Sequence, residues 1–307
     1  MILPVEYVLD LLAIAVGIGC IWHRRDRFQG TTLVAPAAWA VGSLAMLGIV
    51  DVIVAANGAM SEGTLDALRY FGMTGVFCPL MAVLGAKRPQ HVGWQWIVLS
   101  LWVVLALPVG EAVVLWNGGT LDIGPFRQWM IVILVFVGLG NYGLTRFSLA
   151  SVTAVVGQLV LFYPVLPLIG GPHSSTWSWG IWLICAAILM AWWQTRRSPT
   201  NGGWDGLWVD FRDAFGLVWG LRVMERINAT SKICEWNAEL GWFGFQSEVP
   251  LGDSAGELER TFRTLLRRFV SPQWIQSHHG SLPSEDVADD VADDVAVTKD
   301  SPSDESL

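Results

Sequence analysis

Charged side chains inside strongly apolar stretches are the residues of this sequence that could do chemistry. Five of them fall in stretches long enough to cross a membrane: Glu6, Asp10, Asp51, Arg69 and Glu111. A charge at the centre of a bilayer costs roughly 2.5–3.5 kcal/mol on insertion scales, so each one needs a partner, a route to water or a function. Carboxylates in such a group suit a cation, a proton or an amine-bearing solute, with Arg69 neutralising one or two of them.

Two interpretations of these five residues stay open. In the first, they form an acidic vestibule that binds a ligand or an ion. In the second, they lie close enough to the membrane interface to reach water, or they form a structural network of ion pairs. The sequence alone does not separate the two, because both need only that the carboxylates gather at one side of the membrane.

No catalytic, cofactor-binding or metal-binding residues are predicted. The five histidines fall in predicted loops or tails, so a haem held between histidines of two spans is not expected. The HExxH, GxSxG and P-loop patterns are absent. The four cysteines show neither a CxxC pattern nor a Cys/His spacing, which indicates no zinc site and no disulfide framework.

The segment that fixes the position of these residues is a pair of apolar runs joined by a basic turn. The runs are Leu68–Leu84 and Trp94–Trp116, and Lys87 and Arg88 lie between them. Each run is about as long as the ~20 residues that a helix needs to cross a bilayer. Because Lys and Arg are retained on the cytoplasmic side, this turn is expected inside the cell.

The same reasoning predicts seven transmembrane helices, with the N-terminus outside and the C-terminus inside. Basic residues follow the first, fifth and seventh runs: Arg24, Arg25, Arg27, Arg146, Arg196 and Arg197. This topology places all five charged candidates in the outer half of the membrane. The predicted spans are at about 4–22, 32–56, 68–86, 94–116, 128–145, 148–170 and 177–195.

Composition agrees with a membrane protein. The chain of 307 residues is 53% hydrophobic and 15% charged, whereas soluble domains carry about 25% charged residues. Many of the 18 tryptophans lie at the ends of apolar runs, as in the aromatic belts of membrane proteins. The formal net charge of −8 comes mostly from the last thirty or so residues, and with no basic stripe in the sequence, nucleic acid is not expected as a partner.

The chain after the last span divides into three parts. We expect a linker at 196–203, a cytoplasmic amphipathic helical region at 204–276 and a disordered acidic tail at 277–307. Within the second part, Trp204 to Lys232 reads as a helix with Trp208, Phe211 and Phe215 on its apolar face. We expect this face to dock on the bundle or within a small cytoplasmic domain, or to bind a protein partner.

Two stretches resemble a family of bacterial multi-spanning membrane proteins of unassigned function. The first runs from Phe77-Cys78-Pro79-Leu80-Met81 through Leu105-Ala106-Leu107-Pro108, and the second is Leu217-Val218-Trp219-Gly220-Leu221-Arg222 with the residues up to Asn228. The resemblance implies that the spans and the cytoplasmic helix belong to one unit. It implies no activity and no catalytic residues.

The sequence therefore predicts an all-α membrane protein of the bacterial cytoplasmic (inner) membrane, with about seven transmembrane helices and a small, mostly helical cytoplasmic C-terminal region. The leading functional hypothesis is a non-enzymatic membrane scaffold or accessory protein. The alternative is a transporter or cation- or proton-coupled carrier that uses the outer carboxylates. A third hypothesis is an intramembrane enzyme that acts on lipid or envelope precursors.

Overall fold

A computed structural model describes residues 4–57, 60–114, 121, 123–166, 176–197, 203–236, 238–246 and 253–279. Twelve α-helices and one two-stranded hairpin make up these residues. The helices are α1 (Val5–His23), α2 (Arg25–Phe28), α3 (Val34–Ala56), α4 (Glu62–Thr74), α5 (Cys78–Leu84), α6 (His91–Val114), α7 (Gly124–Tyr142), α8 (Ser148–Phe162), α9 (Thr176–Arg197), α10 (Trp204–Cys234), α11 (Asp253–Leu266) and α12 (Pro272–His279). The strands β1 (Leu240–Gly241) and β2 (Gly244–Phe245) pair antiparallel.

Six helical segments of the described residues are long and apolar enough to cross a membrane. They are α1, α3, the continuous segment Glu62–Leu84, α6, α8 with the turn after it, and α9. Large apolar side chains on these helices face outward, among them Leu12, Ile49, Trp96, Leu149 and Trp179. A soluble protein rarely exposes so much apolar surface. The prediction of an all-α membrane protein is confirmed in this form.

The third span begins earlier than its hydropathy indicates. The Ser61 side chain accepts a hydrogen bond from the Thr64 backbone N–H, so the helix starts at Glu62 within the stretch predicted as an outer loop. A single 3-10 turn at Gly75–Phe77 then separates α4 from α5 without ending the span. The capping serine, rather than the first apolar residue, therefore sets the start of this helix.

Helices α7 and α8 form the bend expected near Arg146. Helix α7 has 19 residues, but it is not among the six apolar segments because Arg127, Gln128 and Asn141 make its ends polar. The chain turns back between Gly143 and Phe147, and α8 begins at Ser148. Two antiparallel helices replace the single helix that would have been about twice as long as the bilayer is thick.

Neighbouring membrane helices pack in the order α5, α3, α1, α9, α8 and α7. The Leu80 side chain of α5 lies against Gly138 of α7, so this series forms a ring. At one end of this ring an apolar core fills the space between the helices, with Leu47, Tyr70, Phe162 and Ile181 fully buried. We call this the closed end. The opposite end carries Arg24, Arg27, Lys87, Arg88 and Arg146, and we call it the basic end.

The C-terminal helices pack directly on the basic end of the bundle. Their core contains Trp208, Phe211 and Phe269 together with Leu33 and Val83 of the membrane helices. Backbone hydrogen bonds join the two parts: the Thr32 N–H donates to the Phe269 carbonyl at 2.9 Å and the Arg88 N–H to the Arg268 carbonyl at 2.8 Å. The basic end of the spans and the C-terminal helices therefore share one hydrophobic core, separate from the core of the closed end.

Helix α10 is not a simple amphipathic helix, because it kinks at Gly216, where φ is 79°. A uniform helical wheel across this point places Asp213 opposite the apolar face, yet the Asp213 side chain is fully buried. The kink lets the bundle cover one side of the helix while β1, β2 and α11 cover the other. Residues 280–307 of the predicted acidic tail lie outside the described residues.

Candidate functional site

Asp10 and Asp51 are brought together by the first turn of α9. Both residues are 1% exposed. The Ser178 hydroxyl donates to Asp10 Oδ2 at 2.7 Å, and the Trp177 indole N–H donates to Asp51 Oδ1 at 2.6 Å. Buried polar groups are stable only when hydrogen-bonded, so α9 provides one donor to each carboxylate. Asp10 Oδ1 and Asp51 Oδ2 have no hydrogen-bond partner in the described part of the chain.

The other three sequence candidates do not join this pair directly. The Arg69 guanidinium lies 5.9 Å from the ring centroid of Trp177. Glu111 forms an ion pair with Arg127, with Oε1 and the guanidinium nitrogen 3.3 Å apart. Glu6 is exposed on the first helix. The structure thus places Arg69 near Asp51 by way of Trp177, which contacts both, and leaves Glu6 and Glu111 exposed.

A large cavity lies at the basic end, away from these carboxylates. Its volume is about 1040 Å³, at the upper limit of the about 300–1,000 Å³ that ligand pockets usually have. Neither Asp10 nor Asp51 lines it. The closed end is filled by large side chains, so the same ring of helices is packed at one end and hollow at the other.

The wall of the cavity among the membrane helices is mostly apolar, and it contains several alanines beside larger residues such as Ile184 and Ile188. Ala40 of α3, Ala154 of α8, and Ala187 and Ala191 of α9 line it, with Leu44 at the side of the apolar core. Alanine leaves space where leucine or phenylalanine at the same position would fill the ring. These alanines therefore contribute room to the cavity, a feature that hydropathy does not reveal.

The mouth of the cavity is polar and strongly charged. Arg24, Arg27 and Arg146 line it, as do Asp210 and Asp213 of α10. Asp26, Gln29, Gln273 and Ser277 complete its rim. An apolar interior with a few convergent polar groups at one side is the usual form of a binding site for a small organic molecule.

Arg146 is held in a buried network with the two aspartates of α10. Its guanidinium lies 2.9 Å from Asp210 Oδ1 and 3.4 Å from Asp213 Oδ2. Arg212 contacts the other oxygen of Asp213 at 2.7 Å, and the Asp213 side chain is fully buried. Two guanidinium groups thus neutralise two carboxylates, and the network joins the α7–α8 bend to α10.

Arg24 and Arg27 lack such a partner. Among the described residues neither guanidinium forms a hydrogen bond or an ion pair, and Arg24 Nε is buried. Partial burial lowers the pKa of the Arg27 guanidinium, and the like charges of Arg24 and Arg146 lower it further, against the opposite effect of Asp210. The pKa shift shows that positive charges crowd this side of the mouth.

The C-terminal helices build the floor of the cavity through three specific contacts. At the kink of α10, Asn141 Oδ1 accepts the Val218 N–H at 3.1 Å. The Tyr142 hydroxyl donates to the Ala214 carbonyl at 3.3 Å, and the Trp219 indole N–H donates to the Val83 carbonyl at 2.9 Å. A break in a helix leaves backbone groups without partners, and Asn141 satisfies one of them.

Sequence reasoning used Arg24, Arg27 and Arg146 only to orient the spans and did not group them as a site. They are far apart in sequence, and the residues that complete the mouth come from α10 and α12. The one available signal was the pair Asp210 and Asp213, one helical turn apart with Arg212 between them. No group of three metal-ligating side chains occurs among the described residues.

No family model, no curated protein and no solved structure matches this chain.

Proposed function

We propose that this protein is a membrane accessory protein that holds one amphiphilic molecule in the cavity at its basic end. The observation that carries the proposal is a cavity of about 1040 Å³ with apolar walls among the membrane helices and a charged mouth beside α10. A molecule with an apolar tail and a polar head matches both parts. The proposal keeps the accessory role inferred from the sequence and adds a bound amphiphilic molecule to it.

The topology proposed with it has seven spans, including α7, with the N-terminus outside and the C-terminus in the cytoplasm. The basic end carries Arg24, Arg27, Lys87, Arg88 and Arg146, which supports a cytoplasmic location of that end. Helix α7 packs beside α8 in the ring, as a spanning helix does. The cavity mouth then opens toward the cytoplasmic side of a bacterial inner membrane.

The orientation is tested with a natural cysteine. Cys234 is exposed at the end of α10, while Cys78 and Cys185 are buried. A membrane-impermeant maleimide should label Cys234 in inverted membrane vesicles and leave it unlabelled in intact cells. Labelling of Cys234 in intact cells would contradict the proposed topology.

The cargo is tested by native mass spectrometry of the full-length protein in detergent. The wild type should bind one amphiphile per chain, and Ala154→Phe, which fills the apolar wall, should lose that adduct. Gly42→Ala is the matched control, because the added methyl group meets open space on a neighbouring part of α3. Equal binding by Ala154→Phe and the wild type would reject the proposal.

A protein partner at α10 is also proposed, and the structure restricts where it could bind. Trp208, Phe211 and Phe215 are fully buried within the protein, whereas Leu221 is 43% and Ile233 82% exposed. A partner would therefore contact the exposed side near Ile233. Ile233→Asp should release such a partner without changing membrane insertion, and unchanged co-purification would exclude this surface.

A second candidate function, a proton- or cation-coupled carrier, is favoured by the buried pair Asp10 and Asp51. Each carboxylate keeps one oxygen without a hydrogen-bond partner in the described residues. The carrier hypothesis predicts that Asp10→Asn together with Asp51→Asn abolishes a cation-dependent flux in proteoliposomes. A flux that persists in the double variant would reject it.

A further inference from the structure

We propose that the head group held at the cavity mouth is the phosphate of an anionic lipid, and that Arg24 and Arg27 bind it. The proposal rests on the proposed function, since it assigns the polar end of the same amphiphile. It commits to a lipid of the cytoplasmic leaflet with a terminal phosphate as the occupant. Charge complementarity at the mouth is the argument for this occupant.

The first step is the balance of charge around the mouth. Asp210 and Asp213 are taken by Arg146 and Arg212. Asp26 accepts a hydrogen bond from Gln29, and its carboxylate lies 3.8 Å from the Arg25 guanidinium. Every aspartate that lines the mouth thus has a partner, and the charges of Arg24 and Arg27 remain unmatched within the described residues.

The second step is the position of these two arginines. Arg24 ends the first span and Arg27 lies one helical turn further, on α2, so both reach the mouth from one short segment. The Arg24 guanidinium lies 5.9 Å from the Trp192 ring centroid, and the Trp192 indole nitrogen has no hydrogen-bond partner among the described residues. Hydrogen-bond donors without an acceptor among the described residues thus lie together at one side of the cavity, where an acceptor on a bound molecule can reach them.

The acceptor that matches two guanidinium groups is a phosphate. A guanidinium presents a rigid fork of N–H groups that matches the oxygens of a phosphate, and such charge-assisted hydrogen bonds are about twice as strong as neutral ones. A cation would be repelled by Arg24 and Arg27. A neutral head group would leave both charges without a counter-ion.

The head group, rather than the tail, decides which molecule binds. Lipid tails are as apolar as the side chains that line a membrane protein, so moving a tail from the bilayer into the apolar wall brings no hydrophobic gain. Ala40, Ala154, Ala187 and Ala191 provide room for a tail but do not choose one. The arginines at the mouth therefore supply the selectivity.

The experiment compares lipids that differ in the head group, bound to the full-length protein in detergent and measured by native mass spectrometry. The lipids are phosphatidic acid, phosphatidylcholine and diacylglycerol with identical acyl chains, and glycerol 3-phosphate serves as the head group without tails. The wild type should bind phosphatidic acid at least tenfold more tightly than diacylglycerol. An equal affinity for diacylglycerol would overturn the proposal, as would equally tight binding of glycerol 3-phosphate, which would make the ligand a soluble anion.

The variant that carries the test is Arg24→Gln together with Arg27→Gln. It should lose about tenfold to hundredfold in affinity for phosphatidic acid, because two charge-assisted contacts are removed, and its affinity for diacylglycerol should not change. Arg25→Gln is the matched control, since Arg25 lies on the same segment but does not line the cavity. Arg24→Lys with Arg27→Lys should recover part of the affinity, because the charge remains and the fork is lost.

The outcomes separate this proposal from the proposed function. If Ala154→Phe abolishes lipid binding while the double glutamine variant binds phosphatidic acid like the wild type, the cavity holds an amphiphile but the head-group assignment is wrong. If Ala154→Phe leaves the binding of every lipid unchanged, the proposed function fails, and the assignment fails with it. An equal loss of affinity for phosphatidic acid in Arg25→Gln and in the double variant would also overturn the head-group assignment, since only the overall charge would matter.

Discussion

Charged side chains have different surroundings at the two ends of the helix ring. At the closed end, Asp10 and Asp51 are almost completely buried, and Ser178 and Trp177 donate to them from within the bundle. At the basic end, Arg24 and Arg27 line a cavity of about 1040 Å³ and have no carboxylate partner among the described residues. Asp10 and Asp51 each have a donor and do not line the cavity, whereas Arg24 and Arg27 line it and have no acceptor in the described part of the chain.

We therefore take charged residues of this bundle to indicate a ligand only where they line a cavity. A buried carboxylate with a donor on a neighbouring helix is explained by the packing of that helix. For arginines that line a cavity and have no acceptor among the described residues, we propose a molecule that enters the cavity. The carboxylates were conspicuous in the sequence because they interrupt apolar runs, whereas the arginines were expected at the ends of spans.

The largest expected effect concerns Asp213, which holds Arg146 and Arg212 behind the cavity mouth. Asp213→Ala should lower the free energy of unfolding by about 3–5 kcal/mol, because removing one member of a buried ion pair leaves the others uncompensated. Unfolding in mixed detergent micelles measures this. Asp26→Ala, on the exposed rim of the same mouth, should change the free energy of unfolding by less than about 0.5 kcal/mol. Similar losses in both variants would contradict the network described for the basic end.

A smaller effect is expected at the kink of α10, which forms the floor of the cavity. Gly216 has a φ of 79°, and a Cβ there would collide with the Asn141 amide. Gly216→Ala should therefore cost about 1–3 kcal/mol of stability, with the side-chain contact to Val218 weakened. Gly256→Ala, on a helix with open space around it, should be neutral or stabilising by up to about 1 kcal/mol. Equal behaviour of the two variants would show that the kink is not needed.

At the closed end, two substitutions of Asp51 separate hydrogen bonding from charge, and the milder one should have the smallest effect. Asp51→Ala leaves the Trp177 indole N–H without an acceptor and should cost about 1–3 kcal/mol. Asp51→Asn keeps a carbonyl oxygen at that place and should cost much less. The midpoints of unfolding of both variants, measured together, give the difference. If the asparagine variant is as unstable as the alanine variant, the carboxylate charge itself is required, and the carrier hypothesis gains support.

How much of this was predictable differs between the bundle and the site. Apolar run length located most of the spans, because the hydrophobic thickness of the bilayer acts on each run separately. The start at Glu62 was missed because a capping serine, not hydropathy, sets it. The kink at Gly216 was missed because a helical wheel assumes constant geometry, and this glycine leaves the helical region.

The cavity could not be predicted, since it depends on which faces of separate helices meet. Ala154 and Ala187 are ordinary residues of apolar spans until α8 and α9 pack beside each other. The mouth brings Arg24 together with residues of α10 that lie far along the chain. The sequence contains the charges, but only the packing of the C-terminal helices on the bundle decides which arginines are paired with a carboxylate among the described residues.

The most direct measurement of the central claim uses two natural cysteines with different locations. Cys20 lines the cavity, whereas Cys234 is exposed at the end of α10 and does not line it. The rates at which a small maleimide alkylates both thiols are measured by mass spectrometry of the purified protein, with and without phosphatidic acid. The account predicts that phosphatidic acid slows the alkylation of Cys20 severalfold and leaves Cys234 unchanged, with a weaker effect of diacylglycerol. An unchanged rate at Cys20, or an equal slowing at both cysteines, would contradict it.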